Sequence, residues 1–196
     1  RLGEQADEAA VLALNPDTVV IATGSGTATP HWFPAKAPVA LAGGADLLSG
    51  AVGVPASAIV VDEDGHMEGV TTADYLAANG AAVTLVTPHY SVGYRIDPGN
   101  TEPTLRSLIT HGVKLMPGYQ MSRIDDAGAV ITSIYTLQEE RIPLPELIVT
   151  TQRFGEDRLW RALEGRIASL HLIGDALTPR SIGQAVYEGQ RLARAI

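Results

Sequence analysis

Short apolar runs alternate along the chain with stretches of helical spacing. Thr18 to Thr23 (TVVIAT) is a continuous, mostly β-branched run, which predicts a strand buried on both faces. Ala58–Val61, Ala82–Val86, Leu147–Thr150 and Leu170–Ile173 predict further short strands. Residues 69–79 place Val70, Ala73, Tyr75, Leu76 and Ala77 on a helical apolar face that Asn79-Gly80 ends. From Ala58 to Val86 the chain has the length of one βαβ unit, about 30 residues, whose right-handed connection makes its two strands parallel. Thr104–Thr110 predicts a helix and Val113–Met116 a short strand. Tyr119–Ile124 and Ala129–Thr136 predict an antiparallel pair across Asp125-Asp126-Ala127-Gly128. Helices are also predicted at Asp7–Leu14, where Asn15-Pro16-Asp17 stops the first, and at Glu156–Leu163. The last helix, Ser181–Ala195, would turn Ile182, Ala185, Val186, Leu192 and Ile196 inward. Residues 27–43, rich in Pro, Ala and Gly, read as irregular, and Asp46–Leu48 as one helical turn.

Alternating strands and helices define an α/β class. The central βαβ unit, the next helix and strand, and the hairpin or meander make one Rossmann-like parallel-sheet domain. The strands at the two ends belong to a second sheet. The expected organisation is an inserted domain over residues 51–144 within an incomplete, discontinuous one formed by 1–50 and 145–196. Residues 18–24 and 170–175 should then lie side by side.

With 196 residues, of which 45% are hydrophobic, the chain can bury a substantial core. Fourteen basic against 22 acidic residues give a net charge of −8, which argues against nucleic acid and acidic lipid as partners. The absence of cysteine excludes disulfides, thiolate catalysis and cysteine-ligated iron–sulfur clusters within these residues. No apolar run approaches the ~18 residues of a membrane span, and no signal-peptide pattern opens the chain, so a cytoplasmic setting is expected. The chain begins at Arg1 and its earliest methionine is Met67, which predicts a piece of a longer protein cut at the front.

Three segments carry candidate chemistry. The strand end Thr23-Gly24-Ser25 is small and glycine-bearing, so backbone there approaches a ligand closely; a tight turn after a core strand is the alternative. Gly174-Asp175 combines a second close-approach glycine with a carboxylate that accepts hydrogen bonds from sugar-like hydroxyls; the alternative is an aspartate capping a turn. The helix that starts at Ser181 and Ile182 offers free N–H groups to an anion or a polarised ring. None of these seven residues is assigned as an acid, base or nucleophile.

The third segment is Asp62-Glu63-Asp64-Gly65-His66-Met67-Glu68-Gly69. A working dinucleotide loop carries G-x-G-x-x-G so that its amides touch a pyrophosphate. Here the corresponding places are Asp64, His66 and Gly69. Unit charges ~4 Å apart in an effective dielectric of ~20 repel by about 4 kcal/mol, so four carboxylates oppose a pyrophosphate. The loop is therefore predicted to bind NAD(P) poorly and to form a solvated acidic turn; a hard cation held by Asp62, Asp64, His66 and Glu68 is the alternative. His31, His89, His111 and His171 are scattered, and Trp32, Phe33 and Trp160 read as packing residues.

The strand Val19–Gly24 and the motif Leu172-Ile173-Gly174-Asp175, set around a βαβ insert, resemble the pyridine nucleotide–disulfide oxidoreductase architecture, in which an NAD(P)-type domain interrupts an FAD-type domain. The stretch Ile59–Gly69, followed by Ala82-Val-Thr-Leu-Val-Thr-Pro88, resembles the C-terminal part of the trimethylamine, dimethylamine and histamine dehydrogenase group, relatives of 2,4-dienoyl-CoA reductase and old yellow enzyme. That resemblance implies a flavin-dependent oxidoreductase whose N-terminal barrel holds FMN and a 4Fe-4S cluster, with the glycine fingerprint of the FAD-type domain upstream of Arg1. It implies FAD or ADP as the ligand of this part, bound weakly or not at all by these residues alone because that fingerprint lies upstream, with Thr23, Gly24, Ser25, Gly174, Asp175, Ser181 and Ile182 as contacts. It names the barrel and an electron-transfer flavoprotein as partners. The degraded 62–69 loop favours the amine dehydrogenase branch, with the present residues as an accessory module inactive alone. An NAD(P)H-dependent enoate or dienoyl reductase and a non-catalytic docking domain are the alternatives.

Overall fold

The computed structural model describes residues 2–196. In chain order the elements are α1 (Glu8–Ala13), β1 (Thr18–Ile21), β2 (Ser25–Thr27), β3 (Ala40–Gly43), α2 (Gly44–Leu48), β4 (Ser57–Val61), α3 (Met67–Ala78), β5 (Ala82–Thr87), α4 (Pro98–Thr110), β6 (Lys114–Pro117), β7 (Tyr119–Asp125), β8 (Gly128–Ser133), β9 (Glu139–Ile142), β10 (Leu147–Thr150), β11 (Arg153–Gly155), α5 (Arg158–Leu163), β12 (Ser169–Leu172), a 3-10 turn at Gly174–Ala176, and α6 (Ile182–Ala193). They form two units: Thr27–Gln152, and the segments up to Gly26 and from Arg153 onward.

The larger unit is a five-stranded parallel sheet in the order β3-β10-β4-β5-β6, with a three-stranded antiparallel sheet β7-β8-β9. β4 (SAIVV) and β10 (LIVT) are apolar on both faces because both faces are covered. On one face Val60, Leu85 and Val149 meet Leu47, Val70, Ala73, Leu76 and Leu108 from α2, α3 and α4. On the other, Ile59, Val61, Val86 and Ile148 meet Met121, Ile131 and Ile142 from the antiparallel sheet, together with Trp32. β10 lies between β3 and β4, with Val149 opposite both Ala42 and Val60. Residues 40–43, expected to be irregular, and the strand 147–150, expected in the discontinuous end domain, thus both belong to this sheet. Two strands of this unit carry no strand signal in the sequence: β3 (ALAG) has no β-branched residue and β9 (EERI) is charged and mostly exposed. α4 starts earlier than its apolar pattern, because Asp97 accepts from the Asn100 amide as N-cap and Pro98 occupies the first turn.

The smaller unit is built on β1 and β12, which pair in parallel from Thr18↔Ser169 to Ile21↔Leu172. The expected juxtaposition of the two chain ends is therefore present. A second two-stranded ladder joins β2 to β11, and α5 packs on β12. Two expectations fail here. β1 is not buried on both faces: Val20 is 41% exposed, because this sheet has only two strands to be covered. α6 turns only part of its expected stripe inward: Ala185 and Leu192 are half-buried, but Ile182 is 86% and Val186 59% exposed, Ile196 is also exposed, and Glu188 is its one buried residue.

Candidate functional site

β1 and β12 end at the same edge of their sheet. The ladder continues one step beyond the strands, with the Ile173 amide donating to the Ile21 carbonyl at 3.0 Å. The segments 22–25 and 174–176 thus leave neighbouring parallel strands at their carboxyl ends, where open α/β sheets hold ligands. Gly24 (φ +79°) and Gly174 (φ +63°) both adopt the left-handed conformation that favours glycine.

The two segments are tied together by residues the sequence reading did not single out. The Glu156 amide donates to the Gly24 carbonyl at 2.9 Å, and the Thr23 hydroxyl donates to the Glu156 carbonyl. Gly155 lies directly against Asp175 and Ala176; a Cβ there would stand 2.3 Å from the Ala176 carbonyl oxygen. The Gly155-Glu156 dipeptide is therefore the spacer between the two strand ends. Its only signal in the sequence is a glycine just before a helix. Ser25 carries a buried hydroxyl with no partner. Ser181 caps α6, its hydroxyl accepting from the Gln184 amide at 3.4 Å, and the Arg180 amide donates to Asp175 Oδ1 at 3.1 Å. Ile182, at the helix start, projects into solvent.

Behind this edge, Glu188 reaches back from α6. Its Oε2 accepts from the Gly174 amide at 2.7 Å, and its Oε1 pairs with the Arg180 guanidinium. The Gly174 amide, and secondarily Arg180, hold the Glu188 carboxyl below the usual carboxylate range despite its burial.

The loop after β4 is not the solvated turn expected. Asp62 is fully buried. Its Oδ1 accepts from the Gly65 amide at 2.9 Å, while its Oδ2 is buried without a partner. A Cβ at Gly69 would stand 2.5 Å from Asp62 Cγ, so the carboxylate fills the space between the end of β4 and the first turn of α3. The neighbouring amides of Glu63 and Asp64 donate to Thr151 Oγ1 at 3.1 and 3.3 Å. Burial raises the Asp62 carboxyl above its ordinary range, the Gly65 amide opposes this, and Asp64 adds to it. Burial likewise raises Glu63, with Gln152 opposing. Among the described residues, no group of three His, Asp or Glu side chains is placed to hold a metal ion. No helix among them is long and apolar enough to cross a membrane.

Comparison with known proteins gives these sites a setting. No family model matches the chain. It is 30% identical over 235 residues to N,N-dimethylglycine/sarcosine dehydrogenase of Chromohalobacter salexigens, an alignment covering 99% of this chain and 34% of that one. It is 28% identical to NADH oxidase of Thermoanaerobacter brockii, covering 98% of this chain and 30% of that one. Histamine dehydrogenase from Rhizobium sp. 4-9 superposes with a TM-score of 0.89 at 23% identity, over 98% of this chain and 32% of that one. The chain is thus similar to one part of these oxidoreductases, spanning 30–34% of their length, and it shares its fold with the matching part of histamine dehydrogenase.

Proposed function

We propose that this chain is the ADP- or FAD-binding accessory module of a longer flavin-dependent oxidoreductase that acts on an amine. The observation that carries the reading is the paired strand ends. Two left-handed glycines, Gly24 and Gly174, stand at the carboxyl edge of adjacent parallel strands, beside a carboxylate and the start of α6. Glycine there admits a ligand against the backbone, Asp175 accepts hydroxyls, and the amides at Ser181 and Ile182 face a phosphate or a flavin carbonyl. Bound FAD would supply a two-electron store; ADP would supply binding energy alone.

In this reading the chain's own residues bind and orient the nucleotide, and none transfers a proton. FMN and an iron–sulfur cluster belong to the remainder of the parent, whose barrel is the module's immediate partner and which hands electrons to an electron-transfer flavoprotein. The amine substrate class is supported by the likeness to dimethylglycine/sarcosine dehydrogenase and to the histamine dehydrogenase fold.

The buried Asp62 supports the further reading that the second nucleotide fold does not take NAD(P). The place where a phosphate would approach α3 is filled by the protein's own carboxylate. The competing reading, an NAD(P)H-dependent reductase module, is favoured by the 28% identity to NADH oxidase. Calorimetric titration of the chain with ADP, FAD and NADPH separates the two. ADP or FAD binding more tightly than NADPH is expected, and tighter NADPH would overturn the proposal. Amine plus a dye acceptor should give no reduction with this chain alone.

A further inference from the structure

α6 has one buried residue among twelve, and it is a glutamate rather than an apolar side chain. Its two oxygens are spent on two points of one loop: Oε2 on the Gly174 amide and Oε1 on the Arg180 guanidinium. The loop closes on itself around these points. The Leu177 and Thr178 amides donate to the Gly174 carbonyl at 3.0 and 3.1 Å, Arg180 Nε donates to the Thr178 carbonyl at 3.1 Å, and the Arg180 amide donates to Asp175 Oδ1. Every one of these bonds lies between residues 174 and 188. An apolar residue at 188 would leave the Gly174 amide, on a buried left-handed glycine, without an acceptor.

We infer that Glu188 is a positioning residue: it locks the 174–181 loop to the second turn of α6, so that Asp175 and the α6 amides face a nucleotide in one fixed arrangement. This rests on the proposed nucleotide site, deepening it by a residue that touches no ligand. A glutamate suits the task because both of its oxygens accept, one from a backbone amide and one from a cation. The depressed Glu188 carboxyl keeps both oxygens available as acceptors at neutral pH.

The test is hydrogen–deuterium exchange across 172–184, with ADP titration, on the wild-type chain and on Glu188→Ala and Glu188→Gln. In Glu188→Ala the 174–178 amides should exchange faster by about tenfold, the loss of one charge-assisted hydrogen bond, while β12 stays protected. Glu188→Gln, which keeps an acceptor for Gly174, should stay within about threefold of wild type. Unchanged exchange at 174–178 in Glu188→Ala, or equal opening throughout the smaller unit, would overturn the inference. If that variant does not fold, Arg180→Ala is read in its place: faster exchange at 174–178 supports the clamp and no change refutes it. Equal ADP affinity for wild type and a loop-loosened variant would also refute a positioning role. If wild type itself binds no measurable ADP, the exchange comparison alone decides whether Glu188 holds the loop.

Discussion

At the scale of single residues, Asp62 and Gly69 form one steric and electrostatic unit. The aspartate is buried with one oxygen unpartnered, and only a glycine at 69 leaves it room. Burial raises its folded-state ionisation above the ordinary value near ~4. Between those two points the folded protein holds a proton that the unfolded chain has lost, so stability falls as pH rises through that window. Asp62→Asn keeps an acceptor for Gly65 and removes the buried charge. It should be more stable than wild type by about 1 kcal/mol at neutral pH, an advantage that shrinks on acidification. Urea melts of both proteins at about pH 3, below the unfolded-chain value, and at pH 8 measure this; an equal difference at the two values would contradict it. Gly69→Ala should cost about 1–3 kcal/mol in the same assay, as an overpacked core does. Sequence composition revealed that the loop was acidic and lacked its glycines. It could not reveal burial, because a run of carboxylates reads as a solvated turn until the fold encloses the first of them.

At the scale of elements, the two sheets differ in what covers them. β4, β5 and β10 carry Val60, Leu85 and Val149, all fully buried between two layers. β1 and β12 make a two-stranded sheet, the kind that is marginal without further strands or cover. Leu85→Ala should therefore destabilise by about 2–5 kcal/mol, whereas Val20→Ala should change stability by less than about 0.5 kcal/mol. Thermal denaturation distinguishes these, and a large Val20 effect would mean that β1 is packed more tightly than its exposure indicates. In the large sheet β4, β5, β6 and β10 were legible, β4 and β10 most plainly because β-branched runs such as AIVV and LIVT have one natural home, a strand covered on both sides. β2, β3, β9 and β11 were not, since small or charged residues enter a sheet through their neighbours' pairing rather than their own propensity. α6 was legible as a helix but not in its orientation. Ile182 and Val186 fit an inward stripe by spacing, yet the smaller unit turns Glu188 inward instead, for the two donors it satisfies.

At the scale of the whole molecule, the chain interleaves two α/β units whose strand-end chemistry is opposite. One presents left-handed glycines beside Asp175 and a helix start; the other closes its helix start with its own buried carboxylate. The pairing of 18–21 with 169–172 was legible from motif order alone, and it sets the position of Gly24 and Gly174. The spacer Gly155-Glu156 and the Glu188 clamp were not, because their partners lie in segments distant from them or hidden by the helix period. We propose that nucleotide binds at the first edge and not at the second. Amide exchange with saturating ADP, and separately with saturating NADH, tests it most directly. Protection by ADP of 22–25 and 173–183, with 62–69 unaltered by either nucleotide, is the expected result. Protection of 62–69 by NADH, with 173–183 unmoved, would contradict it.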